Sequence, residues 1–271
     1  MFDQAHDLRQ LVRAARAVPA AAASTRKVLV AGGKGGVGAT TVALRLAQAF
    51  ASHGPTVLVD ACGGALAPAL GVHPRFTLDD VLAGRRDLAS ALHRVDENLR
   101  LLAGDWGRRD NALATGGEDR LSAAFAELLP ATESVVLDVG CQSDSLARRL
   151  WSLADETVVV ATAEVEAITG AYAAIKQFAS NQSPIRLVVN RADEAAARDA
   201  FARVARACNR FLGLTVQFAL WLPADDVGPI ASTRIAQFAA ALAAVPQSDR
   251  SRQNLKSQIT DNLQVPPKNR R

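Results

Sequence analysis

Residues 27–41, KVLVAGGKGGVGATT, constrain the fold more than any other stretch of this chain. An apolar, β-branched run (Val28, Leu29, Val30) enters a glycine-dense turn, and a periodic pattern of Val42, Leu44, Leu46, Ala47 and Phe50 leaves it. That order predicts a strand, a glycine loop and a helix, the context in which a phosphate-binding loop is credible. Gly33, Gly35, Gly36 and Gly38 let backbone N–H groups curl around an anion with no Cβ in the way. The loop passes that anion to the amino end of the next helix, where unpaired N–H groups and the dipole favour negative charge. The pattern G-x-x-x-x-G-K-[ST] is met at Gly33, Gly38 and Thr40. Ala39 stands where its lysine belongs, and a cation comes earlier, at Lys34. A glycine turn that holds no ligand is the plainer alternative.

The rest of the chain alternates in the same way. Residues 56–59, 99–103, 134–137, 157–161, 185–189 and 215–222 read as strands. Residues 118–129, 164–179, 194–210 and 229–245 read as helices, with a short capped one after Thr77. This alternation predicts an α/β fold: a doubly wound, mainly parallel sheet with helices on both faces. Two strands close on carboxylates, Asp60 and Asp138, and another on Asn190 and Arg191. The carboxyl ends of parallel strands are where such sheets bind ligands. Helix caps and corner-turning residues are the competing readings of Asp60 and Asn190.

Composition narrows the class. At 271 residues and 49% hydrophobic content the chain can build one sizeable core, and no apolar run reaches the ~20 residues of a spanning helix. Asp3 and Asp7 near the amino terminus, with no apolar core segment, argue against a signal peptide and for the cytoplasm. Cys62, Cys141 and Cys208 are too far apart for a CxxC and read as reduced thiols, Cys62 and Cys141 as small buried fillers just past strand ends. His6, His53, His73 and His93 have no ligand-like spacing, which disfavours a metal cluster.

Residues 247–271 hold six basic side chains against Asp249 and Asp261, and this accounts for the whole net charge of +4. The neutral remainder argues against nonspecific nucleic-acid binding. The predicted organisation is a front helix over 1–18, a linker over 19–26, a main domain over 27–246 and a basic polar tail over 247–271. In the front segment Phe2, Ala5, Leu8, Leu11, Val12 and Ala15 share one face of a helix, which docks either on its own domain or on a partner. In the tail Leu255, Ile259 and Leu263 recur beside Lys256. This is a faint pattern for weak peripheral membrane contact over 250–265, at the inner face of the membrane, against a reading of disorder.

The form K-G-G-V-G-x-T-T at residues 34–41 resembles the deviant phosphate loop of the MinD/ParA ATPases. Asp3, Gln4, Ala5, Leu8 and Arg9, in the pattern D-Q-A-x-x-L-R, are similar to the start of one branch, the flagellar number regulators FlhG (FleN, YlxH). The phrase EVEAITGAYAAIK at 164–176 resembles a helix of the same branch. The resemblance implies ATP and Mg2+ as cofactors, held by Gly33, Lys34, Gly35, Gly36, Val37, Gly38, Ala39, Thr40 and Thr41. Lys34 would be the signature lysine that reaches phosphates across an ATP-dependent homodimer. Thr40, Asp60 and Asp138 would hold the metal and its water shell, with Lys34 and Asp60 the catalytic candidates. Asn190 would read adenine beside Arg191, with Pro223 and Asp225 walling the ring. Gln4, on the helix of residues 2–17, would enter the site of an FlhF-like SRP-type GTPase.

The chain departs from that pattern at Ala39, in place of the in-subunit lysine, at Cys62, in place of the carboxylate that orients the attacking water, and after Asp138. Losing one such stabiliser commonly costs on the order of 3 kcal/mol, about a hundredfold in rate. Hydrolysis is therefore expected to be weak or lost. The alternative within the family is a CpaE/TadZ-like positioning module without enzymatic activity.

Overall fold

The computed structural model describes residues 25–104, 117–177, 183–224 and 228–244. The front helix, Asp225 and the basic tail lie outside the described residues.

An eight-stranded sheet runs in the order β3-β4-β2-β5-β1-β6-β7-β8. Its strands are β1 (Arg26–Gly32), β2 (Thr56–Asp60), β3 (Leu92–Arg94), β4 (Leu99–Leu102), β5 (Ser134–Gly140), β6 (Glu156–Ala161), β7 (Ile185–Val189) and β8 (Val216–Trp221). All neighbouring pairs are parallel except β3 with β4. The helices are α1 (Ala39–Ala51), α2 (Leu66–Ala69), α3 (Leu78–Leu82), α4 (Leu88–Ala91), α5 (Gly117–Leu128), α6 (Ser145–Leu153), α7 (Val165–Gln177), α8 (Glu194–Leu212) and α9 (Pro229–Ala244).

Side-chain alternation along the strands divides the interior into two layers. Leu29, Val57, Val59, Leu137 and Val159 face one core, completed by Leu121 and Phe125 of α5, Leu150 and Trp151 of α6, Ile175 of α7 and Val204 of α8. Val28, Val30, Leu58, Val136 and Val158 face the other, closed by Val42, Leu46 and Phe50 of α1 and Ile235, Phe238 and Leu242 of α9. The doubly wound expectation is met.

Several details differ from the sequence reading. β3, α2, α4 and α6 have no counterpart there. The main domain starts earlier than residue 27: Thr25 is buried, its hydroxyl donating to the carbonyls of Leu129 at 2.6 Å and Thr132 at 2.7 Å, and β1 begins at Arg26. A polar threonine had looked like linker because the carbonyls that hold it lie more than a hundred positions away. The short helix after Thr77 has the capping box that its sequence, T-L-D-D, specifies: the Thr77 side chain and the Asp80 carboxylate satisfy each other's backbone N–H groups.

Candidate nucleotide site

The carboxyl ends of the parallel strands converge on the loop between β1 and α1. Gly36 and Gly38 take φ of 81° and 90°, the left-handed region where a side chain is strained. A Cβ added at Gly35 or Gly36 would meet nothing within 4 Å, and both residues are exposed, so this side of the loop borders open space. Gly33 is tight for a different reason. A Cβ there would lie 2.0 Å from the Gly170 carbonyl carbon, and one at Gly170 would lie 2.3 Å from the Gly33 oxygen. Loop and helix α7 touch backbone to backbone, a contact only a glycine pair allows. Gly170 was visible in the sequence as part of a matched phrase, but nothing marked its role.

Lys34 is exposed, with Nζ 3.6 Å from the carboxylate of Glu164, just before α7. Lys34 is thus held toward α7 by a weak, solvated pair. Ala39, the first residue of α1, is buried, and its methyl would lie 3.3 Å from a Cβ placed at Gly32. Thr40 follows on the same turn and Thr41 is exposed.

Asp60 and Asp138 are direct register partners on β2 and β5, and both are fully buried. The Asp60 carboxylate accepts backbone N–H groups from Cys62 at 3.2 Å, Gly63 at 2.7 Å, Gly64 at 3.1 Å and Leu66 at 3.4 Å. It orders the turn after β2, so both candidate roles, metal shell and turn residue, fall on one side chain. Asp138 accepts the Gly140 N–H at 3.0 Å. Burial pushes its carboxyl up to about 6, against hydrogen bonds from Thr40, Cys62 and Gly140 that hold it down.

Cys62 lies among these oxygens. Its thiol is 3.5 Å from Asp60 Oδ1, 3.3 Å from Asp138 Oδ2 and 3.7 Å from Thr40 Oγ1. Burial, and then the two negative carboxylates, push it well above the usual thiol range. It is a proton donor to its neighbours, not a thiolate nucleophile. Of the two cysteines expected to be buried, Cys62 is buried, though hydrogen-bonded to the acidic pair, and Cys141 is exposed.

The donor atoms of Asp60, Cys62 and Asp138 lie within 4.8 Å of one another. Hydroxyl and carboxylate oxygens suit a hard divalent cation such as Mg2+, and the open amides of the glycine loop suit phosphate. The residues present therefore fit both groups, with the thiol as the one soft atom in the set.

Asn190 directly follows β7 and is 1% exposed. Its Nδ2 donates to the Val37 carbonyl at 2.9 Å, and its Oδ1 accepts the N–H of Arg191 at 3.0 Å. Arg191 is exposed and adopts φ of 53°. The amide that the resemblance assigned to adenine is turned here onto the phosphate loop. Pro223 is half-buried after β8, where the Leu222 N–H donates to Val189 and the Ala192 N–H donates to Leu222. The two loops are laced together beside Asn190. Asp3, Gln4, Ala5, Leu8 and Arg9 lie outside the described residues.

The comparisons with known proteins agree with this geometry. The family model described as the CobQ/CobB/MinD/ParA nucleotide binding domain matches residues 28–219. The antiactivator FleN of Pseudomonas aeruginosa is 29% identical over 206 residues, covering 73% of this chain and 74% of that protein. The flagellum site-determining protein YlxH of Helicobacter pylori is 28% identical over 171 residues, covering 62% of this chain and 58% of that one. Among solved structures, a cobyrinic acid a,c-diamide synthase from Mycobacterium smegmatis with bound ADP and magnesium superposes with a TM-score of 0.68 at 24% identity, covering 81% of this chain and 94% of that one. A plasmid partition protein from Borrelia burgdorferi reaches 0.64 at 18% identity, covering 80% and 98%. These two show the shared fold.

Proposed function

Because the chain belongs to the CobQ/CobB/MinD/ParA nucleotide-binding family, we propose that it is a nucleotide-switched regulator of the FlhG type, acting on flagellar placement or number. It binds ATP with Mg2+ and engages an FlhF-like SRP-type GTPase through residues 2–17. The names of the two relatives FleN and YlxH support the flagellar reading. The observation that carries nucleotide binding is the loop itself, with left-handed Gly36 and Gly38 and open space on the Cβ side of Gly35 and Gly36.

In this reading the loop amides would bind the phosphates, and Thr40, Asp60 and Asp138 would hold the cation and its water shell; the Asp60 oxygens also accept the backbone N–H groups of the turn after β2. Bound Mg2+ supplies charge against the phosphates. Lys34 exchanges Glu164 for phosphate when two copies meet, which gives an ATP-dependent homodimer. Arg191 and Pro223 border the base.

Hydrolysis is weak. Ala39 offers no ammonium and a protonated Cys62 cannot orient water as a carboxylate does. Nucleotide occupancy, not turnover, then sets the state. The protein acts in the cytoplasm, with weak peripheral contact of residues 250–265 at the membrane. No helix among the described residues is long and apolar enough to cross one.

The test is GTP turnover by an FlhF-type GTPase with and without this protein. Stimulation that disappears in Gln4→Ala and Leu8→Ala is the expected result, alongside ATP turnover near background. No stimulation, or ATP hydrolysis at ordinary ATPase rates, contradicts the reading.

A further inference from the structure

Asn190 is the side chain that joins the far end of the site to the phosphate loop, and its geometry reaches beyond base reading. The amide is 1% exposed, and its Nδ2 meets the Val37 carbonyl at 2.9 Å across 153 positions of sequence. The next residue, Gly38, holds φ of 90°, and a Cβ there would lie 2.3 Å from the same Nδ2. The other half of the amide is fixed as well, with Oδ1 accepting the Arg191 N–H at 3.0 Å. The residue's own N–H donates to Ala161 at the end of β6. A rigid strand end therefore delivers a donor to the inner side of the loop, at a carbonyl two residues before Ala39. Ala39 itself has no side-chain donor to offer that carbonyl.

We propose that Asn190 is a positioning residue that holds the phosphate loop in its binding shape before ligand arrives, supplying from β7 a loop-bracing donor that the side chain of Ala39 cannot provide. Its partner is the loop backbone rather than the nucleotide, so its influence falls on any ligand bearing a polyphosphate, with or without a base. The proposal rests on the nucleotide-binding reading for its consequences, but not for the brace itself.

The experiment has two readouts on the full-length protein, for wild type, Asn190→Ala and Asn190→Asp. Hydrogen exchange of the peptide containing residues 33–41, without ligand, reads the brace directly. Asn190→Asp is nearly isosteric and keeps the acceptor for Arg191, but faces Val37 with an oxygen instead of a donor. Both variants are expected to raise exchange across the loop about tenfold, Asp at least as much as Ala, while a cooperative melt and unchanged exchange in α8 show an intact fold. Loop exchange at the wild-type level in Asn190→Asp overturns the proposal, since a space-filling residue would tolerate that change. Calorimetric titration with ATP-Mg and with base-free tripolyphosphate-Mg is the second readout. Equal weakening of both, about tenfold, supports the brace; weakening of ATP alone overturns it in favour of base reading. If wild type binds neither ligand, the nucleotide reading fails while the exchange result still decides the brace.

Discussion

Gly170→Ala inverts an ordinary expectation. In the interior of a helix, alanine is favoured over glycine by ~1 kcal/mol. At position 170 of α7 the new methyl would lie 2.3 Å from the Gly33 carbonyl oxygen and 2.7 Å from its carbon, both in backbone that has no rotamer to change. Overpacking of this kind costs about 1–3 kcal/mol, which outweighs the propensity gain and leaves a net loss of up to ~2 kcal/mol. Ala173→Gly, at an exposed site one turn later in the same helix, makes the reverse exchange and should lose ~1 kcal/mol through propensity alone. Urea unfolding of the three proteins, with m-values checked for constancy, gives both differences. Opposite substitutions are thus expected to move stability in the same direction. If Gly170→Ala instead gains about 1 kcal/mol, the backbone contact between loop and α7 is not present in solution, and the reasoning that places Gly33 there is wrong.

Three further outcomes follow from the same geometry. The Asp138 carboxyl titrates near 6 in the folded state, above its ordinary value, so the stability it contributes is present below pH 4 and lost as pH rises through 6. In the presence of chelator, Asp138→Asn should raise the melting temperature at pH 8 and much less at pH 5; equal effects at both values refute the shift. Cys62→Asp adds a third buried carboxylate beside Asp60 and Asp138. It should lower metal-free stability by about 1–3 kcal/mol and make the melting temperature depend more steeply on Mg2+, as differential scanning fluorimetry would record. Lys34→Ala removes only a solvated pair, so stability should change by less than ~0.5 kcal/mol. ATP-dependent dimers, measured by light scattering, should nevertheless vanish.

Much of this was legible in the sequence because it is local. The glycine loop, the strands that end in Asp60, Asp138 and Asn190, and the Thr77 capping box follow from short spacings and backbone preferences. What stayed hidden depends on pairs far apart in the chain. β3 is three residues, two of them polar, and exists only because β4 pairs with it antiparallel. Helix α6 did carry a signal, an Asp144 cap followed by Leu146, Ala147, Leu150 and Trp151 at helical spacing. Its shortness and arginines obscured the stripe, although Trp151 is among the largest fully buried side chains. The Asn190 amide offered donors to either a base or a carbonyl, and only the fold brings Val37 to it. Cys62 looked like a lost carboxylate; that its thiol would lie within donating distance of both neighbouring carboxylates could not be read from spacing.

The central claim is that loop amides, with Lys34 and without a lysine at position 39, still hold a nucleoside triphosphate. Calorimetric titration of ATP-Mg into wild type and Ala39→Lys tests it most directly. Measurable saturable binding by wild type, tightened about tenfold or more by the added ammonium, is the result expected of an intact pocket. No heat from either protein at millimolar nucleotide would contradict it.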